Sequence, residues 1–445
     1  MLLGLRHLHP ILLFRNQLRV MAAQPRRSAR SRMRQEPPFA TEITVSCSIR
    51  PAKSLKRKRR SDGEDGVDVL ESAGPSTSVV KQAAARNPRR EPASEPVYAI
   101  PDVVRKETTF RGRLGYACLN TILRNKKPAR TAVFCSRTCR LDSIKKNGID
   151  WVKDIGRQNL EDLLTIIQWN DDNNIRFMRM SSDMFPFASH AKHGYSLEYC
   201  APLLASVGEL ATKLGHRLTT HPGQYTQLGS PKPEVVQASV RELAYHGEMM
   251  DRMGLGVDSV MIIHGGGTYG DKSATLARIK KTITEVLPAG VRARLVLEND
   301  EMCYSAEDLL PLCEELDVPL VFDYHHDVLH PSSIPRSEII QRANAIWARR
   351  GIRPKQHLSE PRPGAVTLME RRAHADRCES LPSELPDDMD KEQAVLHLYR
   401  MYGLQPVKHE NLRPPDENQT KETKGRKSNK RRKALEDGDE GESSP

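Results

Sequence analysis

Short apolar runs that end in a polar or ionisable residue recur along the middle of the chain. Longer stretches with apolar positions three and four apart separate them. The short runs are Arg113–Cys118, Ile175–Ser181, Arg217–His221, Ser259–His264, Arg294–Asp300, Pro319–His325 and Lys355–Leu358. Their length and β-branched content predict strands. The intervening stretches 160–170, 197–214, 234–253, 273–286, 305–316 and 337–349 predict amphipathic helices. Ser305 stands before Ala306-Glu307-Asp308 as an N-cap with acids in the first turn, and Pro233 opens the third helix. Seven strands, each followed by a helix or a long loop, predict an α/β protein of the TIM-type (β/α) barrel class, one strand short of eight. An open doubly wound sheet is the alternative. No Gly-rich phosphate loop follows the first strand, which counts against it.

Charge changes this picture at the two ends. The formal net charge is +12, yet residues 111–400 carry 38 Lys and Arg against 37 Asp and Glu. The ends together hold the remaining 31 basic and 20 acidic residues. Basic ends on a near-neutral body imply an address or a polyanion tether rather than a cationic body. Residues 1–35 contain eight arginines and no acid, interleaved at first with leucines, as in a mitochondrial transit segment. Lys56-Arg57-Lys58-Arg59-Arg60 reads as a nuclear import signal. Expected localisation is therefore the nucleus, with the mitochondrion as a second destination. Residues 1–108 and 404–445 are expected to be disordered, with a barrel domain over 109–403.

The eight cysteines are scattered, and only Cys135 and Cys139 are close, so reduced thiols are expected rather than a zinc knuckle. No apolar run approaches the roughly 20 residues that span a bilayer, so a soluble protein without a membrane partner is expected.

Candidate chemistry follows from the barrel, whose functional groups gather at the C-terminal strand ends. Those ends yield His190, His221, His264, Glu298, Asp323, His326 and His357, with His374 beyond. One such histidine is ordinarily a hydrogen-bonded structural residue. Successive strand ends that each supply His, Asp or Glu point instead to divalent metal, and imidazole mixed with carboxylate suits Zn²⁺ or Mn²⁺. Two or three clustered ions are what phosphodiester cleavage uses. His264-Gly265-Gly266-Gly267 would let a backbone or substrate approach a ligand closely, or simply form a flexible loop. Asn299 and Asp300 read as a structural network beside Glu298. Lys355 and His357 are two apart on one strand and so share its inward face. His221-Pro222-Gly223-Gln224-Tyr225 joins a ligand to a rigid turn that presents an amide and an aromatic ring; the plain alternative is a surface turn.

The motifs Arg113-Leu114-Gly115-Tyr116, Pro186-Phe187-Ala188-Ser189-His190, His221-Pro222-Gly223-Gln224-Tyr225, His264-Gly265-Gly266-Gly267, Leu297-Glu298-Asn299-Asp300-Glu301 and Lys391-Glu392-Gln393 resemble the UV-damage endonucleases. The resemblance runs from about Arg113 to Tyr402. It implies a barrel related to endonuclease IV, a cluster of Mn²⁺ or Zn²⁺ ions, and nicking of duplex DNA 5′ to cyclobutane dimers, 6-4 photoproducts and some other lesions. It makes His190, His221, His264, Glu298, Asp323, His326, His357 and His374 metal ligands. Lys355, Glu298 and His264 become catalytic residues, Lys355 matching a lysine that the family can carry carboxylated. Gln224 and Tyr225 match the pair that wedges into the duplex, and Tyr116 and Asn120 match contacts to the damaged nucleotides. A monomer acting on damaged double-stranded DNA, with no small-molecule cofactor, is expected.

The chain departs from that family at its eighth strand. Before Lys391 the family has about seven residues bearing an inward glutamate that ligates metal; here Leu381–Asp390 offers no apolar strand. The expected consequence is a barrel open between strands seven and one, one ligand fewer, poor folding and weak or absent incision, unless a misplaced exon boundary produced the sequence. The alternatives to a DNA endonuclease are a damage-binding protein that does not cut and a metal-dependent sugar isomerase. The exposed Gln224-Tyr225 turn and the basic ends disfavour the isomerase.

Overall fold

In the computed structural model, residues 98–383, 388–390, 394–416 and 419 are described, all within one compact unit. The two targeting segments expected near the start of the chain lie outside them. A closed ring of eight parallel strands forms the centre: β1 (Arg113–Ala117), β2 (Phe177–Met180), β3 (Arg217–Thr220), β4 (Met261–His264), β5 (Leu295–Glu298), β6 (Leu320–Asp323), β7 (Lys355–His357) and β8 (Asp388–Asp390). Each of the seven expected strands is present, trimmed at its ends. The largest difference is at β6, where Tyr324–Leu329 is already helical because the Asp323 carboxylate caps it, accepting from the His325 and His326 amides at 2.8 and 2.9 Å.

The expected shortfall at the eighth position is real in one sense and corrected in another. Among the described residues there is no long apolar strand, only Asp388-Met389-Asp390. Its backbone nevertheless pairs on both sides, Asp390 standing in register with His357 of β7 and with Gly115 of β1. Backbone groups pair whatever side chains they carry, so the gap expected between β7 and β1 is bridged.

The helices fall where the periodicity places them, including Pro233–Arg252 with proline in its first turn. Ser305 and Asp308 form a reciprocal capping box before Ala306–Leu316, Ser305 Oγ accepting from the Asp308 amide at 3.2 Å. Helix Ile149–Asp172 is longer than expected. The large apolar core lies between strands and helices. A second, small core gathers Val260, Ile262, Val296, Val321, Trp347 and Ile352. Since strand side chains alternate, Ile262, Val296 and Val321 share a face with the residues two further on, His264, Glu298 and Asp323. On β4, β5 and β6 an apolar layer thus lies beneath the ionisable groups.

The folded region also exceeds the expected boundaries. The Lys106 amide bonds to the Met401 carbonyl at 2.9 Å, and residues 404–416 pack back on the barrel through contacts such as Asn411 Nδ2 to Asn173 Oδ1 at 2.7 Å. No described helix is long and apolar enough to cross a membrane.

Candidate metal centre

Glu298 is the hub of the ionisable layer. It is buried at the end of β5, and its two oxygens face different imidazoles. His357 Nδ1 lies 2.6 Å from Oε1, and His221 Nε2 lies 2.9 Å from Oε2. His264 Nε2 is 3.9 Å from Oε2, and His326 Nδ1 is 3.8 Å from Oε1. Asp323 stands 3.7 Å from His326 and 3.8 Å from His357. Two sets of donor atoms converge closely enough to share an ion: His221, His264 and Glu298, and Glu298, Asp323 and His326.

Electrostatics suit a cation. Burial pushes the His221 imidazole down to about 4 against the pull of Glu298, leaving a neutral donor. Burial would raise the Glu298 carboxyl, but the facing His357 and His264 and the bonds from His221 and His357 outweigh it, holding it well below the usual carboxylate range. His326 moves the other way: burial lowers it, and the carboxylates of Asp323, Glu298 and Glu301 more than reverse that. His264 Nδ1 is buried with no hydrogen-bond partner among the described residues. An ionised, buried carboxylate ringed by imidazoles is a donor set for a divalent metal, and these residues fit one.

Supports around the donors are built from backbone. Asn299 Nδ2 donates to the Asp323 carbonyl at 3.0 Å, and its Oδ1 accepts from the Asp323 amide at 2.8 Å, tying the ends of β5 and β6 together. Asp300 accepts from the amides of Met302 and Tyr304 at 2.8 and 3.2 Å and shapes the turn that follows. Both have the structural role expected of them. Lys355 is fully buried, in contact with His357 and with its ammonium 5.4 Å from the centre of the Phe177 ring. Gly115 makes room for that ring, since a Cβ there would lie 2.5 Å from Phe177 Cδ1. In the glycine run, Gly265 packs against the Tyr304 ring and Gly266 has φ +83°, so close packing and backbone conformation account for both.

An open cavity of about 880 Å³ covers this layer. His221, His264, Glu298, Asp323, His326, His357 and His374 all line it, with Gln224 on its rim. Tyr225 beside Gln224 is 81% exposed, an unusual state for a tyrosine on a tight turn. Three expected residues lie elsewhere. His190 is outside the cavity and both donor sets, its Nδ1 accepting from the amides of Lys192 and His193 at 3.1 and 3.2 Å. Tyr116 and Asn120, which match contacts to the damaged nucleotides, are buried in this structure. The Tyr116 hydroxyl donates to Asn170 Oδ1 at 2.7 Å, and Asn120 Oδ1 caps a short helix by accepting from the Leu123 amide at 3.0 Å. Conversely, the motifs missed Arg179, Arg362 and Asp376, which line the cavity. Arg179 was accessible to the alternation argument, as it sits two residues after the inward-facing Phe177 on β2.

Residues 112–413 match the model of the family described as UV-endonuclease UvdE. The chain belongs to that family. It is 48% identical over 320 residues to the UV-damage endonuclease of Schizosaccharomyces pombe, an overlap of 68% of this chain and 53% of that protein. It is 42% identical over 398 residues to the UV-damage endonuclease of Neurospora crassa, covering 77% of this chain and 59% of that one. The chain therefore spans little more than half the length of these two relatives. Among solved structures, that of SacUVDE matches with a TM-score of 0.56 and 26% identity, over 65% of this chain and 96% of the other. The match to the UvdE family covers all eight strands, β8 included.

Proposed function

We propose that this chain is a DNA repair endonuclease that nicks duplex DNA 5′ to UV photoproducts, cyclobutane dimers and 6-4 photoproducts among them, by metal-assisted phosphodiester hydrolysis. The observation that carries the reading is the donor layer around Glu298 lying in the same cavity as the turn that exposes Gln224 and Tyr225. His221, His264 and Glu298 would hold one divalent ion, and Glu298, Asp323 and His326 a second. Bound there, such ions supply an activated water and charge stabilisation on the phosphate.

The remaining work belongs to the chain's own residues. Glu298 stays ionised and fixes the His221 and His357 rings through its two oxygens. Arg179 on the cavity wall offers positive charge to a phosphate. Tyr225 and Gln224 enter the stack where damage has weakened it, which favours distortion over sequence, because unstacking costs a few kcal/mol and least at a lesion. The same reading places the protein in the nucleus through residues 56–60 and in mitochondria through residues 1–35; fluorescent fusions lacking either segment would show which destination each controls.

Purified chain supplied with Mn²⁺ and a duplex bearing one dimer should leave a nick immediately 5′ to the dimer, suppressed by chelator. No metal-dependent cut would overturn the reading. The three-residue β8 favours a second one, a protein that selects irradiated DNA without cutting it. Selective binding with no nick in Mn²⁺ or Zn²⁺ would establish that instead.

A further inference from the structure

Between β7 and His374 the chain turns two large apolar side chains out to solvent. Thr367 opens a one-turn helix, Leu368–Arg371, with a capping box. Its Oγ1 accepts from the Glu370 amide at 3.3 Å, and Glu370 Oε2 accepts from the Thr367 amide at 3.1 Å. Polar bonds therefore fix the turn, and neither apolar side chain is needed to hold it. Leu368 is 60% and Met369 70% exposed, and Met302 in the loop after β5 is 64% exposed.

Arg372 joins the two loops. Its Nη1 donates to Met369 Sδ at 3.7 Å and its Nε to Glu301 Oε1 at 2.9 Å, so Met369 and Met302 flank one ion pair. Glu301 Oε2 in turn lies 3.7 Å from Nε2 of the donor His326. Exposed apolar residues scattered singly are ordinary, but a group of them beside a functional site marks a contact surface.

The surroundings say what covers it. The same segment forms cavity wall at Ser359, Arg362, His374 and Ala375. Its two acids are bonded to backbone amides, Glu370 in the capping box and Glu360 accepting from the Glu379 amide at 2.8 Å. Arg362 and Arg371 are exposed, one before and one after the apolar pair. Guanidinium groups beside an apolar tip suit a duplex, whose phosphates they meet while leucine and methionine enter a base step. The segment follows β7, whereas Gln224 and Tyr225 follow β3, four places away in the ring and so across the mouth.

We propose that Leu368, Met369 and Met302 form a second, apolar wedge that packs against unstacked bases of the duplex, across the mouth from Tyr225. The inference rests on the endonuclease reading for its substrate, and its test reads binding and unstacking without cleavage.

The full chain would be bound in chelator to duplexes with one dimer or none. Each duplex carries 2-aminopurine, which brightens on unstacking, at positions flanking the lesion or its undamaged counterpart. Leu368→Ser, Met369→Ser and Met302→Ser together should leave the unfolding midpoint unchanged, because all three side chains are exposed. This variant should bind the dimer duplex about tenfold more weakly, the order expected when burial of apolar side chains is lost. Its slope of log affinity against log salt should match the parent's, since phosphate contacts set that slope. At least one flanking probe should lose its brightening. Met302→Leu and Met369→Leu together keep the apolar volume and should behave as the parent. Equal affinity and equal brightening in the serine variant would overturn the proposal. A dimer of the chain that the serine variant abolishes would overturn it too, assigning the surface to self-association. A parent without preference for dimer DNA would reject the lesion reading. The wedge would then stand only if the serine variant still bound undamaged duplex more weakly.

Discussion

His221 and Glu298, 77 residues apart in sequence, meet at 2.9 Å inside the barrel, and the same carboxylate holds His357 on its other oxygen at 2.6 Å. One side chain thus orients imidazoles from two strands and belongs to both donor sets. Replacing it removes charge and geometry together. Glu298→Gln is expected to lower incision by about a hundredfold, the upper end of the roughly 10–100-fold loss that follows removal of a metal-orienting group. Bound metal, read by elemental analysis, should fall in parallel, while binding to irradiated duplex in chelator persists. Unaltered metal content would count against Glu298 as the hub.

Tyr225 is almost fully solvated, so its removal should not touch the fold. Tyr225→Ala is expected to leave unfolding within about 0.5 kcal/mol of the parent. The loss should appear in selectivity, since stacking of a base on an aromatic ring is worth about 1–3 kcal/mol. Competition between irradiated and intact duplex would measure it, and an unchanged ratio would show that the ring does not probe the stack.

Gly115 lies against the Phe177 carbonyl, beneath which no Cβ fits. Gly115→Ala should force β1 and β2 apart at a cost of about 1–3 kcal/mol, the usual penalty of overpacking. Urea unfolding would reveal it as a lower midpoint at the same slope. A midpoint equal to that of the parent would mean the strands yield freely.

His216 gives a pH signature away from the metal centre. Burial takes its imidazole down to about 3, and the nearby Arg113 and Arg176 act in the same direction. Protonation therefore favours the unfolded chain, whose imidazole titrates near the ordinary value of about 6.5. The contribution is complete above that pH and is lost as pH falls toward 3, at up to about 1.4 kcal/mol per pH unit. Urea midpoints of chelated protein between pH 7 and 4.5 should fall less steeply in His216→Gln than in the parent. Parallel falls would assign the sensitivity to other groups.

The strands and most donors were readable because each relies on a local rule. A β-branched run ending in His or Glu marks an inward strand end, and the spacing of two between Lys355 and His357 places both on one face. The burial of Tyr116 and Asn120 was not readable, because a motif carries no information on burial. Only the packed partners, Asn170 for the hydroxyl and the Leu123 amide for the cap, show that their polar atoms are occupied. Asp416 and Gln419, which return to the cavity wall, left no apolar pattern, since polar contacts to Asp376 hold them. Asp388–Asp390 gave no strand signal for the related reason that ladder pairing is a property of peptide groups.

That short eighth strand has a mechanical corollary. The hub and its partners come from β3, β4, β5, β6 and β7, an unbroken arc of the ring, whereas the three-residue β8 closes the ring outside that arc. A seam that loosened there would spread the wall formed by Ala117, Cys118 and Thr121 away from the rest while leaving the arc whole. The barrel could widen its mouth as a split ring does, without dismantling the centre it encloses.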